Sequence, residues 1–243
     1  MSSTLKLGAE NNMAEPDSDE IRGLKLFAEM EQTQYERLLR ASYVQNFPPQ
    51  IELITEGDNA DFLHVVLAGT IDLFSRWNDR EVSMATVRPV STFILAATIR
   101  NGPYLMSART LEKSRVMLIP SEDVRAAFDE DNAFARAIVK ELAQCYRVVV
   151  KNTKDLKLRT SLERLVNYLL RQKNRTGSFE FDLNMEKRRL ASFLGMSPEN
   201  LSRAFKRLEP YGVKVSGSHI SIDDPNDLET LAKPNPLIDD YTT

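Results

Sequence analysis

The stretch from Asn184 to Pro210, reading NMEKRRLASFLGMSPENLSRAFKRLEP, leaves its backbone few choices. Leu190 and Leu194 stand four apart with Ala191 beside them, which marks one face of a helix. Gly195 supplies the left-handed residue that closes such a helix. Ser197 is placed to be an N-cap, and Pro198 falls at the first helical position, where its missing N–H costs nothing. Leu201, Phe205 and Leu208 then recur at i, i+4 and i+7, so a second helix turns that side inward. Glu199, Ser202, Arg203 and Lys206 are left together on its outward face. Two short helices about a tight turn, the second showing a polar stripe from its N-terminal end, have the chemistry of a major-groove reader. A solvated helix face has the same pattern, so the rest of the chain has to decide.

Charge distribution is the first discriminator. The 243 residues carry a net charge of −3, which argues against a generally sticky nucleic-acid coat. Between Lys157 and Lys214, however, 13 Lys and Arg stand against 6 Asp and Glu. The basic excess is therefore gathered around the helix-turn-helix, as a DNA-binding module needs. With 42% apolar residues the chain has ample material for one large or two modest cores. Cys145 is the only cysteine, which excludes an intrachain disulfide and a cysteine-based metal or iron–sulfur site within one chain. His64 and His219 form no spaced ligand pair, and no metal site is expected. The N-terminus lacks a basic-then-apolar leader and no apolar run reaches membrane-spanning length, so the expected location is cytoplasmic, with no membrane partner.

In chain order, residues 1–20 are polar and acidic and are expected to be a mobile tail. Ile21–Ala41 reads as short helices. From Ile51 to Pro120 the period changes. Phe62–Leu67 and Ile71–Phe74 read as strands about an Ala68-Gly69-Thr70 hairpin turn. Glu81–Val87, Tyr104–Thr110 and Ser114–Ile119 are further strand candidates, punctuated by Gly57-Asp58-Asn59, Asn78-Asp79 and Asn101-Gly102-Pro103. Short strands at this spacing suggest a small antiparallel barrel or roll, which either holds a ligand or is filled by its own core.

Ser121–Phe128 reads as a short helix, followed by a long one from about Asn132 to Lys157 with no Gly or Pro inside. Its heptads put Ile138, Cys145 and Asn152 at one seam position and Ala135, Leu142, Val149 and Leu156 at the other, fitting a two-stranded coiled coil in which the seam Asn fixes register. Packing along its own roll is the other use of such a helix, and both can hold because it has more than one face. Thr160–Arg175 follows as a helix and Phe179–Leu183 as a strand. After the reading stretch, Gly212–Ile222 reads as a hairpin wing and Pro225–Ala232 as a helix. The tail KPNPLIDDYTT carries no reading of its own.

Roll, long helix and winged helix-turn-helix, in that order, resemble the CRP/FNR family of bacterial transcription regulators over residues 21–223. Glu199, Ser202 and Arg203 match the Glu-x-x-Ser-Arg of its FNR-type branch. TEGDNADFLHVVLAGTIDLF, with Gly57 and Gly69, is similar to the family's first sensor hairpin. FILAATIRNGPYLMSARTL and KPNPLIDD resemble the FtrB-type regulators. The resemblance implies an α+β chain. Its parts would be the tail (1–20), a cyclic-nucleotide-binding-like sensor β-roll (21–128), a dimerisation helix (129–157) and a winged helix-turn-helix (158–243). It implies a homodimer on a palindromic TTGA-like site, with RNA polymerase as a further partner. Arg203 would contact a guanine and Glu199 a cytosine. The chemistry agrees, since Arg donates twice to guanine O6 and N7, Glu accepts from cytosine N4, and Ser202 can pack on or bond to a neighbouring base. Lys187, Arg188, Arg189, Lys206, Arg207 and Lys214 are candidates for phosphate contacts, which set register rather than sequence. The expected dimer interface is Ile138, Leu142, Cys145, Val149, Asn152 and Leu156.

Cyclic-nucleotide binders of that family carry Phe-Gly-Glu-Leu and then Arg-Ser or Arg-Thr. The matching places here read Phe93-Ile94-Leu95-Ala96 and Met106-Ser107-Ala108. A phosphate there would meet no guanidinium and lie in apolar surroundings, an expensive desolvation. Val149-Val150 stands where such binders use Thr-Ser. Control by cyclic nucleotide is therefore not expected, and no cofactor is assigned. What remains is an apolar sensor pocket of Ile94, Leu95, Met106, Ser107, Val149 and Val150, either taking a small apolar or gaseous effector or filled. A haem through His64 or a Met is an alternative, set against His64 as a packed or partly exposed strand residue. A redox switch through Cys145 is the alternative to a small seam residue. No nucleophile–base pair, paired carboxylate motif or glycine-rich phosphate loop is present in the sequence, so an enzyme is not expected.

Overall fold

The computed structural model describes residues 18–240 apart from 79 and 184. Residues 1–17 of the expected tail, Asp79 of the expected Asn78-Asp79 turn, Asn184 at the head of the reading stretch and Tyr241–Thr243 lie outside the described residues. The chain divides into two compact units between Leu142 and Ala143, inside the long helix.

The first unit opens with α1 (Ser18–Arg22) and α2 (Gln32–Ala41). Ser18–Glu20, expected as tail, begin a helix instead, because Ile21 is fully buried and anchors it. There follow β1 (Tyr43–Phe47), β2 (Glu52–Ile54), β3 (Phe62–Ala68), β4 (Ile71–Trp77), β5 (Arg80–Val87) and β6 (Ser91–Phe93). After them come α3 (Leu95–Arg100), β7 (Ser107–Thr110), β8 (Ser114–Pro120) and α4 (Ser121–Glu130). Helix α5 (Asn132–Leu158) runs from this unit into the next. The strands form two antiparallel four-stranded sheets, β1-β8-β3-β6 and β2-β7-β4-β5.

The expected hairpin between β3 and β4 is not one. β3 pairs with β8 and β6, whereas β4 pairs with β5 and β7, so the turn at Gly69 carries the chain from one sheet to the other. Gly69 sits at φ +88°, and a Cβ there would lie 2.7 Å from both the Lys113 carbonyl oxygen and Ser114 Cα. β7 also begins later than expected. Tyr104 is not a strand residue but a buried plug whose hydroxyl donates to the Phe62 carbonyl at 3.1 Å.

β3 reads as an apolar run, interrupted by the buried His64, because both of its faces are covered. Leu63, Val65 and Leu67 pack under the helices with Phe27, Met117, Ile119, Phe134 and Ile138. Val66 faces the roll interior with Ile54, Ile71, Phe93, Tyr104 and Val116. Asp131 starts α5: its carboxylate accepts from the N–H groups of Ala133 (2.8 Å) and Phe134 (3.0 Å) and from Glu31 (2.7 Å), tying the α2 entry to the long helix.

The second unit holds the C-terminal part of α5, then α6 (Ser161–Thr176), β9 (Glu180–Asp182), α7 (Lys187–Phe193) and α8 (Pro198–Leu208). It continues with β10 (Val213–Ser216), β11 (His219–Ile222), α9 (Pro225–Ala232) and α10 (Pro236–Asp239). The three strands form one antiparallel sheet in the order β10-β11-β9. Leu165, Leu169, Leu190, Leu194, Leu201, Phe205, Leu208, Ile220 and Leu228 share one core. At about 1.5–3 kcal/mol for each large apolar side chain buried, α8 is held to its domain by its inner face rather than by its short length.

Candidate nucleic-acid interface

Helix α8 is built as its sequence directs. The Ser197 hydroxyl accepts from the Asn200 N–H at 3.2 Å, and Pro198 follows at the first position. Leu201, Ala204, Phe205 and Leu208 are buried; Glu199, Ser202, Arg203, Lys206 and Arg207 are exposed. The side chains expected to read bases thus leave the protein on one face, near the N-terminal end of a helix whose other face is sunk in the core.

The turn before α8 depends on Gly195, at φ +63°. Its N–H donates to Ser192 and that of Met196 to Ala191, both at 2.9 Å, closing α7. A Cβ at Gly195 would approach Leu156 Cδ2 to 2.8 Å. Behind the turn stands Arg164 of α6, a nearly buried cation whose hydrogen bonds all go to neutral acceptors. It donates to the carbonyls of Leu194 (2.8 Å), Gly195 (3.3 Å) and Arg159 (2.7 Å). Asn167, also buried, donates to the carbonyls of Glu163 (2.9 Å) and Ala232 (2.8 Å). Sequence reasoning passed over both. The available signal was two polar residues, three apart, inside an otherwise apolar helix face.

Glu199 is held below the usual carboxylate range, first by its own backbone N–H, then by the Ser197 hydroxyl and by Arg203 one turn on. It is therefore an acceptor at neutral pH, the state that a cytosine amine requires.

The candidate phosphate ligands divide. Lys187, Arg188, Lys206 and Arg207 are exposed, with Lys187 Nζ standing 5.8 Å over the Phe205 ring. Arg189 is half-buried. Lys214, on the wing strand β10, is exposed but forms an ion pair with Asp223 at 2.8 Å. The wing is a β10–β11 hairpin turning at Gly217, with His219 facing Asp182 across 3.4 Å.

The residues grouped as a dimer interface do not share one environment. Ile138 is 0% exposed and belongs to the first unit's core, so it is corrected from seam to core. Leu142 is half-buried, Asn152 likewise, while Cys145, Val149 and Leu156 are exposed. On α5 the exposed large side chains are Val139 (59%), Tyr146 (70%), Val149 (60%) and Leu156 (51%).

The residues grouped as a sensor pocket divide too. Ile94 and Met106 border the roll interior, but Leu95 is buried with the core under the helices. The Ser107 hydroxyl is used by the fold, accepting from the Glu56 N–H at 3.0 Å. Val149 and Val150 lie in the second unit. Ile94 keeps φ +62°, a left-handed conformation that a β-branched residue adopts under strain. The guanidinium nearest Met106 in sequence, that of Arg109, is committed to Asp72 (3.0 Å) and Glu81 (2.5 Å). His64 is buried in the roll, 5.1 Å from the Phe93 ring, with Nδ1 lacking a hydrogen-bond partner; burial pushes its pKa down to about 4, and the Phe62 backbone only partly offsets this. Among the described residues no group of three or more His, Cys, Asp or Glu is gathered to hold a metal ion, and no helix is long and apolar enough to cross a membrane.

Comparison with known proteins agrees with this architecture. Residues 44–131 match the cyclic nucleotide-binding domain and residues 163–231 the Crp-like helix-turn-helix domain. The transcriptional activator protein Anr of Pseudomonas protegens is 25% identical over 193 residues, covering 74% of this chain and 76% of that protein. A CRP-like cAMP-activated global transcriptional regulator of Mycobacterium tuberculosis is 23% identical, covering 77% and 87%. The solved structure of FixK2 from Bradyrhizobium japonicum shares the fold at a TM-score of 0.67 and 22% identity, covering 80% of this chain and 98% of that one. The chain belongs to the CRP/FNR family. Its members are DNA-binding regulators of transcription and not enzymes, and α7 and α8 lie within the matched helix-turn-helix domain of this chain.

Proposed function

We propose that the protein is a homodimeric regulator that reads a palindromic, TTGA-like site and does not depend on a cyclic nucleotide. One observation carries the reading: Glu199, Ser202 and Arg203 project together from α8 while Leu201, Phe205 and Leu208 anchor it. The triplet matches the FNR-type recognition helix residue by residue, with Arg203 on guanine, Glu199 on cytosine and Ser202 on a neighbouring base. Pairing along α5 places two such helices on successive turns of one duplex, with half-site centres about 34 Å apart. The exposed Val139, Tyr146, Val149 and Leu156, with Leu142 and Thr153 between them, alternate at three and four residues and supply a seam for that pairing.

Independence from cyclic nucleotide rests on Ile94, Leu95 and Met106 replacing Gly, Glu and Arg, and on Arg109 being engaged by Asp72 and Glu81. A second reading, a redox switch through Cys145, draws on the exposure of its thiol on α5. Mild peroxide followed by a non-reducing gel tests it: a covalent dimer supports the switch, and persistent monomer rejects it. Selection from a random duplex pool by the purified protein, aerobically and without added ligand, tests the main reading. Recovery of a twofold-symmetric TTGA-like site is expected. Recovery of no symmetric site would overturn it. RNA polymerase is the partner once the site is occupied, and transcription from a template bearing that site is the corresponding assay.

A further inference from the structure

Helices α5 and α6 are joined by only Arg159 and Thr160, and the C-terminal segment is tied across that joint. Helix α9 ends at Ala232, whose carbonyl accepts from Asn167 of α6. The chain then turns through Asn235, which caps α10 by accepting from the Leu237 N–H at 2.9 Å. Asp239 receives both arms of Arg159, at 2.7 and 2.6 Å, and a third bond from Arg171 of α6 at 3.0 Å. Arg159 also holds Asp155 of α5 at 2.9 Å, and Lys151 of α5 donates to the Asp240 carbonyl. The Arg159 and Asp239 side chains are 7% and 15% exposed, so this is not a solvated surface pair.

The same joint is tied to the reading head. Arg164 donates to the Arg159 carbonyl on one side and to the Leu194 and Gly195 carbonyls of the helix-turn-helix turn on the other. The tail therefore grips both helices at the point where the direction of α8 relative to α5 is decided. Family resemblance left this segment without a role, and the Asp239 carboxylate and the Asp240 carbonyl are the groups that lock it.

We propose that Pro234–Asp240 is a clasp that fixes the angle between α5 and the reading head, with Asp239 as its positioning residue, and thereby sets the half-site spacing the protein accepts. The proposal rests on the dimeric, palindrome-reading function above. In a dimer paired along α5, each α8 reaches the duplex at an offset set by this joint. A clasped joint admits one spacing; an unclasped joint swings and admits several.

The test is binding of the full-length protein to duplexes carrying the selected half-sites at native spacing and at spacings altered by one or two base pairs, with a single half-site duplex and a scrambled duplex alongside. Wild type is expected to prefer the native spacing by ~10-fold or more. D239N is expected to compress that preference to ~3-fold or less while single half-site affinity stays within ~2-fold, and D239E, which keeps the charge, is expected to restore it. A purely structural role for Asp239 lowers affinity for all duplexes together and leaves the ratio intact. An unchanged ratio in a folded D239N overturns the proposal. If D239N does not fold, the comparison passes to R171Q, where an unchanged ratio has the same meaning. Wild type showing no preference for paired over scrambled half-sites ends the palindrome-reading function itself, and the clasp with it.

Discussion

Arg164 Nε donates to the carbonyl oxygen of Leu194 across 2.8 Å, so a side chain from α6 closes the turn that aims α8. Arg164 is 7% exposed, and its guanidinium satisfies three carbonyls that the ends of α5 and α7 leave open. Arg164→Leu leaves those acceptors buried without partners, each costing about 1–3 kcal/mol. The expected outcome is a loss of about 3–5 kcal/mol in urea unfolding followed in the second unit. An effect below about 1 kcal/mol would show that water serves the turn equally well.

Gly195→Ala acts on the same turn from the other side. At φ +63° a Cβ costs roughly 1–2 kcal/mol, and here it also presses on Leu156. The variant should fold with a lowered melting temperature and bind DNA more weakly. A variant as stable as wild type would mean that the backbone leaves the left-handed region without penalty.

Arg203→Ala removes the proposed base reader, an exposed side chain on α8 whose loss leaves the domain core untouched. Selectivity for the palindrome should fall by about 1–3 kcal/mol per half-site while dimer formation is spared. Lys206→Ala should instead weaken cognate and scrambled duplexes alike and reduce the salt slope by about 1. Lys214→Ala should change that slope less, because Asp223 already engages the ammonium group. Titrations at several salt concentrations separate the three; a Lys214 effect as large as that of Lys206 would show that the Asp223 pair opens on DNA.

The legibility of this chain follows its physics. The reading head was readable because its signals are local: a cap, a proline, a glycine and an i, i+4 apolar face all fall within one stretch. The roll was readable as a roll but not in its pairing. Nothing in Ala68-Gly69-Thr70 says whether the next strand returns to the same sheet, and the deciding contact, Gly69 against Ser114, is distant in sequence. Short strands such as β2 and β6 hold three residues each and offer no period to detect. Seam assignment on α5 failed at Ile138 because a heptad pattern cannot say which apolar stripe its own domain has already covered. The role of the tail was invisible since Asp239 gains its meaning only from Arg159 and Arg171, far upstream.

Tyr146 and Val149 test the pairing along α5. Each is well exposed on the described chain and lies on the three-four alternation. Val149→Asp places two like charges across a twofold seam, which is costly in a desolvated interface. Sedimentation should show a shift from dimer to monomer, with single half-site binding retained. A dimer that persists in the variant places the contact on another face.

His64 gives the first unit a pH dependence whose sign is fixed by its burial. The folded state holds its pKa at about 4, against a usual value near 6.5 in an unfolded chain. Between those values the unfolded chain binds the extra proton, so stability is full above pH 6.5, falls as the pH drops through that range, and levels off below about 4. The difference corresponds to on the order of 3 kcal/mol, lost without any change at the DNA-binding face. Tyr104 does not share in it, because burial drives its hydroxyl up to about 12 and it stays protonated throughout. His64→Phe keeps a ring against Phe93 and removes the titration, so its unfolding midpoint should be nearly flat from pH 7 to 5, above the range where most carboxylates contribute. Equal slopes in wild type and variant would mean that His64 protonates in place, and that the roll opens to water around it.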